Sequence, residues 1–226
     1  MDALKVVARY LCDFPTKFGL PRQSGLNGDL EGEIVFERAF RNPDAVRGLA
    51  EFSHIWIIWG FQVPEKQAWS ATVRPPRLGG NERVGVFATR SPFRPNPLGL
   101  TVARLLSVET RPDKGPVLRV SGADMMNGTP IFDIKPYIPY ADCRPEARGS
   151  FAEAHRNDAL RVVFPEPLMR LVPPEKRAAL TNALAGDPRP AYHNDPARLY
   201  GFAYAGLDVR FTVENGELTV REIAAL

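Results

Sequence analysis

Apolar residues fall along the first two-thirds of the chain in short runs, each closed by Gly, Pro, Asn or Asp. The runs are 4–11 (LKVVARYL), 32–37 (GEIVFE), 54–61 (HIWIIWGF), 70–73 (SATV), 84–88 (VGVFA), 100–108 (LTVARLLSV), 117–122 (VLRVSG) and 130–137 (PIFDIKPY). They are short and rich in β-branched and aromatic residues, which reads as strands. No long helical pattern separates them; 42–52 makes a short helical turn at best, with Asn42 as cap and Pro43 at its first position. Strands without intervening helices argue against a doubly wound parallel sheet and for a barrel or sandwich.

Residues 141–160 lose the strand pattern and gain charge and small side chains. Beyond them a helix is expected over VPPEKRAALTNALAGDP: Pro173 and Pro174 start it, Leu180 and Leu184 give it an apolar stripe, and Gly186 and Pro188 end it. DVRFTVENGELTVREI is a hairpin turning on Asn215-Gly216. The expected organisation is a barrel domain over 1–142, a linker over 143–160 and a small α+β module over 161–226, a helix plus a hairpin, marginal alone and packed on the barrel.

Composition changes this picture little. With 226 residues, 44% hydrophobic and 24% charged, the chain reads as an ordinary soluble protein. Its termini carry no targeting signature, and 55–61 is too short to span a bilayer, so a cytoplasmic protein without a membrane segment is expected. Cys12 and Cys143 lie far apart without CxxC spacing, and the three histidines are isolated, so neither a disulfide nor a metal site is expected. Neither G-x-G-x-x-G, nor a P-loop, nor G-x-S-x-G occurs, so no nucleotide-binding Rossmann site or hydrolase elbow is signalled.

Charge matters by position. Arg74, Arg77, Arg83, Arg90 and Arg94 crowd one stretch against a single acid, Glu82. Arginine forks bind phosphate and carboxylate, although a solvated basic face explains the stretch equally well. Within ATRSPFRPNPLGL (88–100), three prolines push Ser91, Arg94 and Asn96 out of the helical region, so the loop is rigid before any ligand arrives. FGLPRQSGL (18–26) offers Arg22 and Gln23 behind Pro21. Asp124, Asp133 and Asp142 sit near strand ends; Asp133 and Lys135 share a strand face, as a structural ion pair or as a tuned acid/base pair. Asn127-Gly128 reads as a hairpin turn.

FGLPRQSGL, AVRGLAEFSHIWII, TVRPPRLGGNERVGVFATRSPFRPNPLGLT and NGTPIFDIKPYIPYAD together resemble the TsaA-like bacterial tRNA methyltransferases acting on N6-threonylcarbamoyladenosine, and GDPRPAY resembles their C-terminal module. The resemblance runs over 1–142 and resumes at 186–213. It departs at Asn127, where the family often has Asp, and at Gln62, where relatives can have His. It implies an antiparallel β-barrel, a homodimer and S-adenosylmethionine as methyl donor to N6 of the modified adenosine beside the anticodon. By family analogy the cofactor contacts are Pro21, Arg22, Gln23, Gln62, Val63, Arg90, Leu100, Ser121, Gly122, Ala123 and Asp124. Asp187, Arg189 and Tyr192 would face the tRNA.

That substrate implies its own chemistry. Its N6 is a ureido nitrogen, a poor nucleophile while protonated, so proton removal is expected to assist attack on the sulfonium methyl. Asp133 is the first candidate base and Tyr137 the second; Arg94 or Arg189 is the candidate cation for the threonine carboxylate. Two other readings stay open: a barrel methyltransferase with another substrate, and an RNA-binding module without catalysis.

Overall fold

The computed structural model describes residues 4–62, 69–75, 82–150, 153, 159–189 and 195–226. Each expected run contributes a strand: β1 (Ala8–Cys12), β2 (Glu31–Phe36), β3 (His54–Gly60), β4 (Thr72–Val73), β5 (Val84–Gly85), β6 (Leu98–Arg111), β7 (Gly115–Ser121) and β8 (Thr129–Pro136). Six of them close into a barrel in the order β1-β2-β7-β6-β3-β8, every neighbouring pair antiparallel. β4 and β5 form a separate two-stranded ribbon.

Period-two alternation explains the closure. Ile55, Ile57 and Trp59 of β3 and Ala103 and Leu105 of β6 point inward with Tyr10, Ile34, Leu118, Val120 and Ile131, while His54, Trp56 and Ile58 point out. Two glycines admit the largest interior side chains. A Cβ on Gly99 would stand 2.1 Å from the Trp59 ring, and one on Gly32 would stand 2.3 Å from the Tyr10 hydroxyl.

The connections place the site. Antiparallel closure sends three long loops out of one barrel end: 13–30 after β1, 61–97 after β3 and 122–128 after β7. Connections at the other end include a short turn over Pro43–Val46, capped by Asn42, whose Oδ1 accepts the Asp44 N–H at 3.0 Å. The Asn127-Gly128 turn corrects the hairpin expectation. β7 and β8 do not pair with each other, because Asn127 Oδ1 accepts the Cys12 N–H at 3.1 Å and ties this loop to β1.

After α1 (Pro139–Asp142) come β9 (Arg161–Val163), α2 (Glu166–Met169), α3 (Pro174–Ala185), β10 (Tyr200–Tyr204), β11 (Leu207–Glu214) and β12 (Glu217–Ala225). Pro174 occupies the first turn of α3, and Ala179, Leu180, Ala183 and Leu184 are its buried face. The β11–β12 hairpin turns on Asn215 (φ 49°) and Gly216 (φ 78°). The module is richer than a helix and a hairpin: its sheet runs β10-β11-β12-β9, with β9 parallel to β12. β9 has only three residues and Gly201 interrupts β10, so neither announces itself in the sequence.

This module shares its core with the barrel's first loop. Phe14 and Leu30, both fully buried, pack with Val172, Leu180, Leu184, Phe202, Tyr204 and Phe211, each contributing about 1.5–3 kcal/mol. Polar contacts follow the same seam. Lys176 Nζ lies 2.5 Å from Asp13 Oδ2, Asn27 Nδ2 donates to the Ala179 carbonyl at 2.8 Å, and Asn182 Nδ2 donates to Asp29 Oδ2 at 2.7 Å. The loop carrying Pro21, Arg22 and Gln23 is thus held between the barrel and the module.

Candidate active site

The three loops converge on a cavity of about 680 Å³, within the usual range for a site holding a molecule of cofactor size. Pro21, Arg22 and Gln23 border it from the first loop, Gln62, Arg90 and Arg94 from the second, and Asp124 from the third. Leu98, Leu100 and Val102 of β6 and Trp56 of β3 extend its wall over the outer face of the barrel. Four cations line it, Lys17, Arg22, Arg90 and Arg94; among the described residues Asp124 is its only acid.

The polar groups are braced. Arg90 Nη1 donates to Gln23 Oε1 at 2.5 Å, joining the first two loops. Arg22 Nη2 donates to the Asp187 carbonyl at 2.9 Å, so the C-terminal module touches the cavity's edge. Arg94 Nη1 donates to the carbonyls of Thr89 (2.9 Å) and Ser91 (3.3 Å), and its guanidinium lies 5.9 Å from the Phe87 ring centre. One arm of Arg94 therefore holds its own proline loop in shape. Gln62 reaches the Gly128 carbonyl at 3.5 Å.

Asp124 accepts from Thr101 Oγ1 at 2.5 Å, and Thr101 accepts from Trp59 Nε1 at 2.9 Å. Burial pushes the Asp124 carboxyl above its ordinary range. The Thr101 hydroxyl, nearby backbone N–H groups and Arg90 pull it back.

Other expected residues lie off the lining. Ser121 pairs with Glu31 and Arg104 at the end of β7. The Gly122 N–H donates to Leu30 and its carbonyl accepts from Gly25, both in the first loop. Ala123 is buried in the barrel core. These three support the site through backbone and packing.

Asp133 lies outside the cavity. It forms an ion pair at 3.0 Å with Lys135, both side chains about half exposed, which is the structural-pair alternative. Tyr137 is also off the lining, its ring tilted against Trp56 at 5.8 Å, and burial raises its pKa, which disfavours the phenolate. Asp187 and Arg189 pair with each other through two bonds of 2.9 Å. Val63, Arg77 and Tyr192 lie outside the described residues.

Sequence reasoning missed Trp59, Phe61, Lys17, Met125, Met126 and Thr101. Thr101 was the legible one, a hydroxyl on the inward face that Gly99, Ala103 and Leu105 of β6 share.

The chain matches the family model for the tRNA-methyltransferase O N-terminal domain over residues 10–143 and that for the TrmO C-terminal domain over 158–226. The chain belongs to the tRNA-methyltransferase O family. Relatives agree along most of its length. The tRNA (adenine(37)-N6)-methyltransferase of Escherichia coli K12 is 40% identical over 215 residues, covering 92% of this chain and 91% of that protein. That of Eikenella corrodens is 43% identical over 176 residues, 77% of this chain and 98% of the relative. The crystal structure of TrmO from Pseudomonas aeruginosa covers both chains fully at a TM-score of 0.77 and 29% identity. The tRNA-methyltransferase O barrel therefore accounts for the architecture, and the cavity lies among the loops that carried the resemblance.

Proposed function

We propose that this chain transfers a methyl group from S-adenosylmethionine to N6 of adenine 37 of tRNA, the adenine already carrying its threonylcarbamoyl group. The observation that carries the reading is the cavity: an arginine-rich, aromatic-walled pocket with one acid among the described residues, built by the loops that carry the family resemblance. Its residues fit the cofactor. Arg22 and Arg90 suit a carboxylate, Phe61, backed by the Trp59 ring at 4.3 Å, suits a flat base, and Asp124 suits a hydroxyl or ammonium donor. When bound, S-adenosylmethionine supplies an electrophilic methyl on a sulfonium.

The chain's own residues orient the partners and exclude water. The proline loop, braced by Arg94, keeps its shape without a ligand, so little ordering cost falls on binding. Positioning of this kind supplies a large part of a methyl transfer's acceleration. The remaining cations, Lys17 among them, are available to the substrate's threonine carboxylate and its flanking phosphates, and the segment of Asp187, Arg189 and Tyr192 serves the tRNA body, with Arg189 held in place by Asp187. The reading includes a homodimer, supported by the exposed apolar face of β6, and a cytoplasmic location.

The test is methyl transfer from labelled S-adenosylmethionine into tRNA with and without the threonylcarbamoyl group, followed by nucleoside mass spectrometry. Methylation confined to the modified tRNA supports the reading. Equal methylation of both tRNAs overturns the substrate assignment, and no transfer to either overturns the activity.

A further inference from the structure

Asp124, on the cavity lining, ends a polar chain whose other two members, Trp59 and Thr101, have no role under the family resemblance. Trp59 Nε1, Thr101 Oγ1 and Asp124 Oδ1 follow one another at 2.9 and 2.5 Å. Thr101 has no exposed surface, and Trp59 is buried beside it against Gly99. Chemistry fixes the direction of the first bond. An indole nitrogen donates and cannot accept, so Thr101 is the acceptor there. The single hydroxyl proton of Thr101 is then free to point at Asp124, and an ionised Oδ1 can only accept it. A hydrogen bond from Thr101 stabilises the carboxylate, so the chain favours ionisation of Asp124 against the opposing effect of burial.

We propose that Thr101, locked by Trp59, is a positioning residue for the cofactor. It clamps one oxygen of Asp124 into the barrel wall and leaves the other, ionised, to accept hydrogen bonds from a hydroxyl or amino group in the cavity. Charge around the site supports this assignment. Lys17, Arg22, Arg90 and Arg94 can each take an anionic group, whereas Asp124 is the only anionic acceptor among the described lining residues. Arg90 also favours the ionised form, and Tyr10, facing Asp124 from β1, has its own ionisation suppressed by burial. Thr101 thus acts through Asp124 and touches no reacting atom.

The inference rests on the cofactor reading, and the test separates the two. Calorimetry with the full chain uses two probes, S-adenosylhomocysteine and methylthioadenosine, the second keeping the ribose hydroxyls but lacking the amino acid. Thr101→Val is expected to weaken S-adenosylhomocysteine about 10- to 100-fold, with Thr101→Ser within about threefold of the parent. On acidification the Val variant should lose affinity at a higher pH than the parent, because its Asp124 lacks the hydroxyl that favours ionisation. Its KM for S-adenosylmethionine should rise more than its kcat falls. An equal loss for both probes assigns the contact to the ribose hydroxyls; a loss confined to S-adenosylhomocysteine assigns it to the amino group.

Trp59→Phe provides a second arm. It keeps a ring in the wall, frees Thr101 to turn, and should shift the pH profile in the same direction. Unchanged affinity and pH profile in folded Thr101→Val, or in Trp59→Phe should the Val variant not fold, overturn the proposal and leave the cofactor reading intact. A parent protein that binds neither probe overturns both.

Discussion

Asp124 couples stability to function within one residue. Because burial raises its pKa, the folded chain holds a proton over a window just above the ordinary carboxylate range that the unfolded chain has released. Stability is therefore expected to fall as pH rises through that window. Asp124→Asn removes the buried charge, so it should raise the thermal midpoint near neutral pH while weakening S-adenosylhomocysteine, read by calorimetry and melting on the same sample. Asp133 should behave differently. Its ion pair with Lys135 is half exposed and off the cavity, so Asp133→Asn is expected to change turnover by less than about threefold. A loss of several orders of magnitude would restore it as the base. The two cysteines differ as sharply: the Cys12 thiol, largely buried, is pushed up to about 12, whereas Cys143 is exposed. One fast-reacting thiol is expected with a thiol reagent at pH 8, and Cys143→Ser should remove it.

At the scale of elements, the decisive piece is the loop over 13–30, which is at once a wall of the cavity and part of the C-terminal core. Leu180 of α3 is fully buried beside Phe14 and Leu30, so Leu180→Ala should cost about 2–5 kcal/mol in urea unfolding. It should also weaken cofactor binding, although Leu180 lies off the cavity, because Arg22 and Gln23 stand on the loop it supports. The barrel strands were legible because alternation survives in each of them; HIWIIWGF declares its own inward face. The proline loop was legible as rigid, yet its fastening was not: Arg94 bonds carbonyls five and three residues back, contacts that follow from folded geometry alone. The Asn127-Gly128 turn misled for a related reason. A turn signal fixes the local bend, but its side-chain bond to Cys12 decides which strands lie beside it. Thr101 was visible as an odd hydroxyl; its partners, 42 and 23 residues away in sequence, were not.

For the whole molecule, the outer face of the barrel raises the question of what covers it. β6 turns Leu98, Leu100 and Leu106 outward, each more than a third exposed, and Phe87 and Tyr140 are exposed by 75% and 88%. Apolar residues at four of the five outward positions from 98 to 106, broken by the exposed Arg104, differ from scattered surface leucines and form a strip of the kind that marks interfaces. The strip also continues into the cavity, whose outer wall includes Leu98, Leu100, Val102 and Trp56. A second copy seated there would close that wall and exclude water from the methyl-transfer site. The proposed homodimer therefore carries a consequence for activity as well as for mass. Leu106 lies on the strip and off the cavity lining, so Leu106→Glu places a charge in the contact without touching the pocket. Sedimentation should then show dissociation at concentrations where the parent is dimeric. Turnover should fall as the variant is diluted, and the circular dichroism of the barrel should be retained. A variant that sediments as the parent does, or a parent that is monomeric at micromolar concentration, would assign the strip to another role and leave the cavity open on that side.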